Sequence, residues 1–253
     1  MKTHATAPGQ DDILAALLGQ ALARPDSRVS EVRLGAHLAV VRAGEALGLA
    51  SRSGGHDGPA PIPPADRPAT LHALARLLAE DPEPFPQARA LALAAVNALL
   101  PPPAEAAPAQ GQDLLLALGR GKRAAVVGHF PFVERMAGEF SSLDVLEMSP
   151  RPGDLPAAAA REVLPRADLA AITATTLLNG TLAGLLALLR PGTEAILLGP
   201  STPFASALFR FGVTVLAGCA AADPAAVLEG VARGLPFKAL PGVRRLAWRR
   251  PGG

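Results

Sequence analysis

Apolar positions recur at helical spacing through residues 11–24, DDILAALLGQALAR, with acidic residues leading and Arg24 closing, where a helix dipole favours each. This predicts a first helix, ended at Pro25-Asp26. Three short apolar stretches follow at 29–34, 38–42 and 45–50, parted by Gly35 and Gly44, and they predict a small antiparallel meander. Residues 51–69, SRSGGHDGPAPIPPADRPA, hold Gly, Pro, Ser and Asp too densely for a regular element, so a long loop is expected there. Helical patterns return over 70–80 and 85–100, and the Pro-rich stretch 101–110 closes the region.

From residue 122 the pattern changes to apolar β-type runs alternating with helical ones. KRAAVVG precedes a helix near 131–139, LDVLEM at 143–148 precedes one near 157–163, and DLAAITA at 168–174 precedes one at 181–190. EAILLG at 194–199 and VTVLAG at 213–218 precede helices at 203–211 and 224–233. Five consecutive βα units with nearly continuous apolar strands predict a doubly wound α/β domain, its parallel sheet covered on both faces. No period of the length found in repeat proteins recurs.

An open parallel sheet binds ligands beyond the carboxyl ends of its strands, where loops and helix N-termini converge. Gly128, His129 and Phe130 follow the first strand, and Glu147, Arg151 and Asp154 the second. Thr173, Thr175, Thr176 and Asn179 follow the third, Gly199, Pro200, Ser201 and Thr202 the fourth, and Gly218 and Cys219 the fifth. Plain structural roles compete at several of these positions. Asn179-Gly180 reads equally as a turn, Thr181 and Ser201 or Thr202 as helix caps, and Asp223 before Pro224 as a cap alone, outside the site.

Glu147 lies 19 residues beyond Gly128, about where a dinucleotide fold keeps the acid that bonds a ribose hydroxyl. The first turn reads G-H-F-P, however, without the glycines that admit a pyrophosphate, and the phosphate loop of nucleotide triphosphatases is absent too. The residues thus favour a ligand with ribose but no pyrophosphate, or an anion. None of the histidines shows the close pairing of zinc motifs. His129, Glu147, Asp154 and Cys219 could still converge from separate loops, although a lone Cys at a strand end is more often core. His129 at the crevice mouth is suited to ligate metal, transfer a proton or donate a hydrogen bond. Ser201 lies in G-P-S-T-P and not in a nucleophile elbow, which disfavours a hydrolase.

Composition narrows the partners. Among 253 residues, Lys+Arg 24 stand against Asp+Glu 22, for a formal charge of +2, and aromatics are 4% with no Tyr, so a nucleic-acid partner is not expected. The single cysteine excludes an intrachain disulfide and is compatible with a reducing compartment. The N-terminus lacks the pattern of a secretory signal, and the longest apolar runs, such as 182–189, are too short to span a bilayer. A cytoplasmic protein without membrane insertion is expected.

The ordered strings Gly128-His129-Phe130-Pro131, Glu147 through Pro156, Ile172 through Thr181, Leu198 through Pro203 and Gly212 through Gly218 resemble the family of putative heavy-metal chelation proteins. The resemblance covers about 85–235 as that family's Rossmann-like domain, and the preceding half is similar to its smaller domain, which is like the N-terminal domain of enolase. It implies two domains, 1–84 and 85–253. It also implies a site in the cleft between them for a transition metal or a metal-chelating small molecule, with His129 and Glu147 as metal ligands. Glu45 and the 51–58 loop with His56 and Asp57 are candidates from the smaller domain. A divalent transition metal is the cofactor considered and a homodimer the assembly considered, and whether a reaction is catalysed stays open. The competing reading is an enzyme or sensor for a nucleotide-like or anionic molecule, such as S-adenosylmethionine, bound at the strand ends.

Overall fold

The computed structural model describes residues 8–52, 69–80 and 87–252. The first half contains α1 (Gln10–Leu22) and strands β1 (Glu31–Leu34), β2 (Leu38–Ala43) and β3 (Ala46–Ser51), then α2 (Leu71–Arg76) and α3 (Ala88–Leu99). The strands form the expected meander, an antiparallel sheet in the order β1-β2-β3. The β2–β3 turn is Gly44-Glu45, with Gly44 in the left-handed region at φ 59°. Thr70 caps α2 by accepting the Ala73 N–H. α3 packs on β2, β3 and α2, and Gly48 allows it to come close. A Cβ at Gly48 would stand 1.9 Å from the Ala94 carbonyl oxygen.

The second half builds a mixed sheet of eight strands. Its elements are β4 (Ala107–Pro108), α4 (Gly111–Gly119), β5 (Arg123–Val127), β6 (Ser142–Glu147), β7 (Leu155–Pro156) and α5 (Ala160–Val163). Next come β8 (Leu169–Thr173), α6 (Leu182–Ala187), β9 (Glu194–Leu198), β10 (Val215–Ala221), α7 (Pro224–Ala232) and β11 (Val243–Arg249). The spatial order is β4-β11-β10-β9-β8-β5-β6-β7. Pairing is parallel from β7 to β10 and antiparallel at β11 and β4. The protein is therefore α/β, with a parallel-dominated sheet and a separate small antiparallel one.

Side chains alternate along these strands into two cores, as a sheet covered on both faces requires. Ala125, Leu146, Ala170, Ile172, Leu197 and Leu216 enter the larger core, which also takes in α1, α2 and α3. Ala124, Val126, Val145, Ala171, Ile196 and Val215 face the other core, with Leu115 of α4 and Met136. A third cluster joins Leu38, Val40 and Leu49 of the small sheet to Val227, Leu228 and Val231 of α7.

Three local expectations change. The helices foreseen near 131–139 and 203–211 are 3-10 turns, Val133–Glu139 and Ser206–Phe211. Pro131 precedes the first run, Pro203 and Gly212 flank the second, and a short run closes the tighter bonds of a 3-10 turn. β10 extends past Gly218 to Ala221 because β11 pairs with its whole length, from Val215↔Arg249 to Ala221↔Val243. Among the described residues no helix is long and apolar enough to cross a membrane.

Candidate functional site

β5 has β6 on one side and β8 on the other, so the chain reverses its direction of travel across the sheet at β5. A doubly wound sheet opens a crevice at such a point, beyond the strand ends. A cavity of about 560 Å³ lies there. It is lined by Gly128, His129 and Phe130 after β5, Glu147 and Met148 at the end of β6, and Thr173, Thr175, Thr176 and Asn179 after β8. Ala157, Ala158, Leu185 and Leu188 supply an apolar wall, and Arg161 adds a cation.

The carboxylate of Glu147 is fixed from both sides. Its Oε1 accepts the His129 N–H at 2.7 Å and its Oε2 accepts the Met148 N–H at 2.9 Å. Each oxygen retains a lone pair, so the group can accept two further donors. Gly128 makes the turn beside it with φ 101°, and a Cβ there would stand 3.0 Å from Thr173 Cγ2. Glycine alone combines that backbone with that approach.

His129 is held by Asp154, whose two carboxylate oxygens each lie 3.1 Å from Nδ1. The side chains are 7% and 4% exposed, and Asp154 Oδ2 also accepts the Arg151 N–H. Burial pushes the Asp154 carboxyl up, but the Arg151 N–H and the His129 ring outweigh it and hold the group below its ordinary value. The other ring nitrogen of His129 is 3.6 Å from Oε1 of the exposed Glu134.

The hydroxyls of Thr173 and Thr175 pair at 3.0 Å, and the buried Thr176 donates to the Thr173 carbonyl. Asn179 Oδ1 accepts from the backbone and hydroxyl of Thr181, and its Nδ2 lies 3.6 Å from the Met148 sulfur. Met148 is 73% exposed at the mouth of the cavity.

The remaining candidates go elsewhere. Arg151 is exposed and hydrogen-bonds Asp154 through its backbone N–H. Gly199 and Pro200 line a second cavity of about 690 Å³, which shares Phe130 with the first. Ser201 is buried and accepts the Ser51 N–H of β3 at 2.8 Å, while Asn97 of α3 donates to the carbonyls of Leu49 and Pro200. The G-P-S-T loop thus ties the two sheets together. Thr202 is also buried, and among the described residues its hydroxyl has no partner. Glu45 sits at the hairpin tip and lines neither cavity. His56 and Asp57 lie outside the described residues. Cys219 lies inside β10, opposite Arg245, where burial pushes its thiol up to about 12 against the pull of Arg245. Asp223 caps α7 as foreseen, accepting the Ala226 N–H.

Sequence reasoning passed over Met148 and Arg161 in the first cavity and His37, Arg135, Lys238 and Arg245 in the second. Met148 adjoins Glu147 and was within reach of that reasoning. Lys238 and Arg245 lie beyond the last βα unit, where no strand end pointed to them.

The donor set does not fit a bare metal ion. Among the described residues no three His, Cys, Asp or Glu side chains gather as ligands. Nδ1 of His129 is committed to Asp154, which leaves Nε2 of His129 and the remaining lone pairs of Glu147 as the donors offered to an ion. A structural ion wants about four ligands of its own.

Two family models, both described as "Putative heavy-metal chelation", match the chain: DUF364 over residues 110–248 and DUF4213 over residues 15–100. Among solved structures, a protein of unknown function from the DUF364 family of Desulfitobacterium hafniense DCB-2 is similar at 25% identity, with a TM-score of 0.79 over 94% of this chain and 98% of that one. Another of unknown function from the same family, from Pyrococcus horikoshii, has 20% identity and a TM-score of 0.72 over 94% of this chain and 99% of that one, which speaks for the fold. No curated protein matches the chain. The DUF364 match takes in more than half of the sequence, and the chain belongs to this family, described as putative heavy-metal chelation.

Proposed function

We propose that the chain binds a small organic molecule bearing a pair of hydroxyl or amine donors at the β5, β6 and β8 strand ends, and that a heavy metal reaches it already held by such a chelator. One observation carries this reading: a carboxylate fixed by two backbone N–H groups, with its remaining lone pairs available at the lip of a ligand-sized cavity. A fixed acceptor-only group selects paired donors, because a ligand lacking them leaves the carboxylate desolvated and unpaired. The wall of Ala157, Ala158, Leu185 and Leu188 suits the apolar body of such a ligand, and the threonine hydroxyls suit its polar far end. A nucleoside, whose ribose offers a hydroxyl pair, has this chemistry.

The His129–Asp154 pair favours a second reading of the same site. A carboxylate behind an imidazole orients it for metal, and the chelator's metal would then take Nε2 of His129 as one further ligand. Isothermal titration with adenosine, S-adenosylmethionine and a catechol chelator, each with and without nickel or zinc, separates the readings. The expected result is binding of a paired-donor probe without metal, weakened about tenfold or more in Glu147→Gln and little changed in His129→Ala. Binding that requires the metal and is lost in His129→Ala selects the second reading. Stoichiometric uptake of the bare metal, unchanged in Glu147→Gln, overturns the proposal.

A further inference from the structure

We infer that the second cavity is a separate binding site for an organic oxyanion, a carboxylate or phosphate carried on an apolar body. The inference goes beyond the strand-end site and stands without it. The cavity is larger than the first, about 690 Å³, and is walled from both halves of the chain, by His37, Leu38 and Ser51 on one side and the β9 and β10 ends on the other.

Its charge differs from that of its neighbour. The first cavity sets Arg161 against Glu147, whereas in the second Arg135, Lys238 and Arg245 face the single carboxylate of Asp113. Among the described residues none of these three cations is in an ion pair. Arg245 is anchored: its Nη2 donates to the carbonyls of Phe237 and Lys238, and its guanidinium lies 4.9 Å from the Phe237 ring centroid. An anchored guanidinium loses little freedom on meeting an anion. The apolar part of the wall combines three aromatic rings with Leu38, Leu198 and Leu246. Phe130 and Phe132 stack with centroids 5.6 Å apart, and Phe237 closes the cationic side. A concave surface of aromatic rings with cations on its rim recognises a molecule that is apolar at one end and anionic at the other.

Lysine is rare in this chain, occurring at Lys2, Lys122 and Lys238. Lys238 can therefore be followed by affinity labelling of the full chain. The protein is treated with pyridoxal 5′-phosphate or with pyridoxal, the imine is reduced with borohydride, and labelled peptides are quantified by mass spectrometry, with exposed Lys122 as internal reference. The phosphate-bearing aldehyde should label Lys238 about tenfold faster than Lys122, through local concentration of the anion, and pyridoxal should show no such preference. Arg135→Gln should reduce the preference while leaving Lys122 labelling unchanged. Protection of Lys238 by inorganic phosphate alone identifies phosphate as the recognised group. Protection by benzoate and not by phosphate identifies an aryl carboxylate. Equal labelling of Lys238 and Lys122, or a preference that is the same with pyridoxal, overturns the inference. Neither result bears on the role of Glu147.

Discussion

Ser201 and Thr202 are adjacent and both buried, yet among the described residues only the Ser201 hydroxyl has a partner. Ser201→Ala strands the Ser51 N–H and should cost about 1–2 kcal/mol, whereas Thr202→Val removes an unpartnered hydroxyl and should leave stability unchanged or raise it by up to about 1 kcal/mol. Urea unfolding of the two variants checks both. Asp154 sets a pH dependence. Its folded value lies below the ordinary 3.8, so its stabilising contribution is complete above that value and is lost as pH falls through the lower folded one. Asp154→Asn should therefore flatten the acid limb of stability against pH, measured by urea unfolding at successive pH values below about 5. At this scale sequence and structure meet unevenly. Glu147 at the end of an apolar strand was legible, since the strand dictates which residue emerges. The tie from Ser201 to Ser51 was not, because its partner is 150 residues away and no local pattern encodes it.

α3 crosses β3 at Gly48, and that crossing is intolerant. Gly48→Ala puts a methyl against the Ala94 carbonyl, a contact that neither backbone can relieve by a rotamer change. It should destabilise the protein by about 3 kcal/mol and lower the thermal midpoint by several degrees. A calorimetric scan of the variant tests this. β5, β8, β9 and β10 were legible as elements because strands buried on both faces read as apolar runs, and β6 was legible from Leu143, Val145 and Leu146 between its polar positions. β11 was not, because VRRLAWR is interrupted by arginines and lies near the sheet's margin, with only two-residue β4 beyond it. The turns at Val133–Glu139 and Ser206–Phe211 carried helical apolar spacing but not the length to propagate an α-helix.

In the whole molecule, one hydrophobic core runs from α1, α2 and α3 into the eight-stranded sheet. Gln10 and Gln20 of α1 reinforce it by accepting the Ala183 and Ala207 N–H groups. Two halves that share a core should unfold together. The expected outcome is one calorimetric transition whose van't Hoff and calorimetric enthalpies agree, and two resolved transitions would contradict it. The doubly wound order was legible from five successive βα units. The separation of the polar strand ends between two chambers was not, because it depends on which way each loop leans after leaving the sheet. Phe130 stands between those chambers as a party wall. A guest that tilts this ring to widen its own room narrows the room next door, so the two occupants would trade space through a single aromatic side chain.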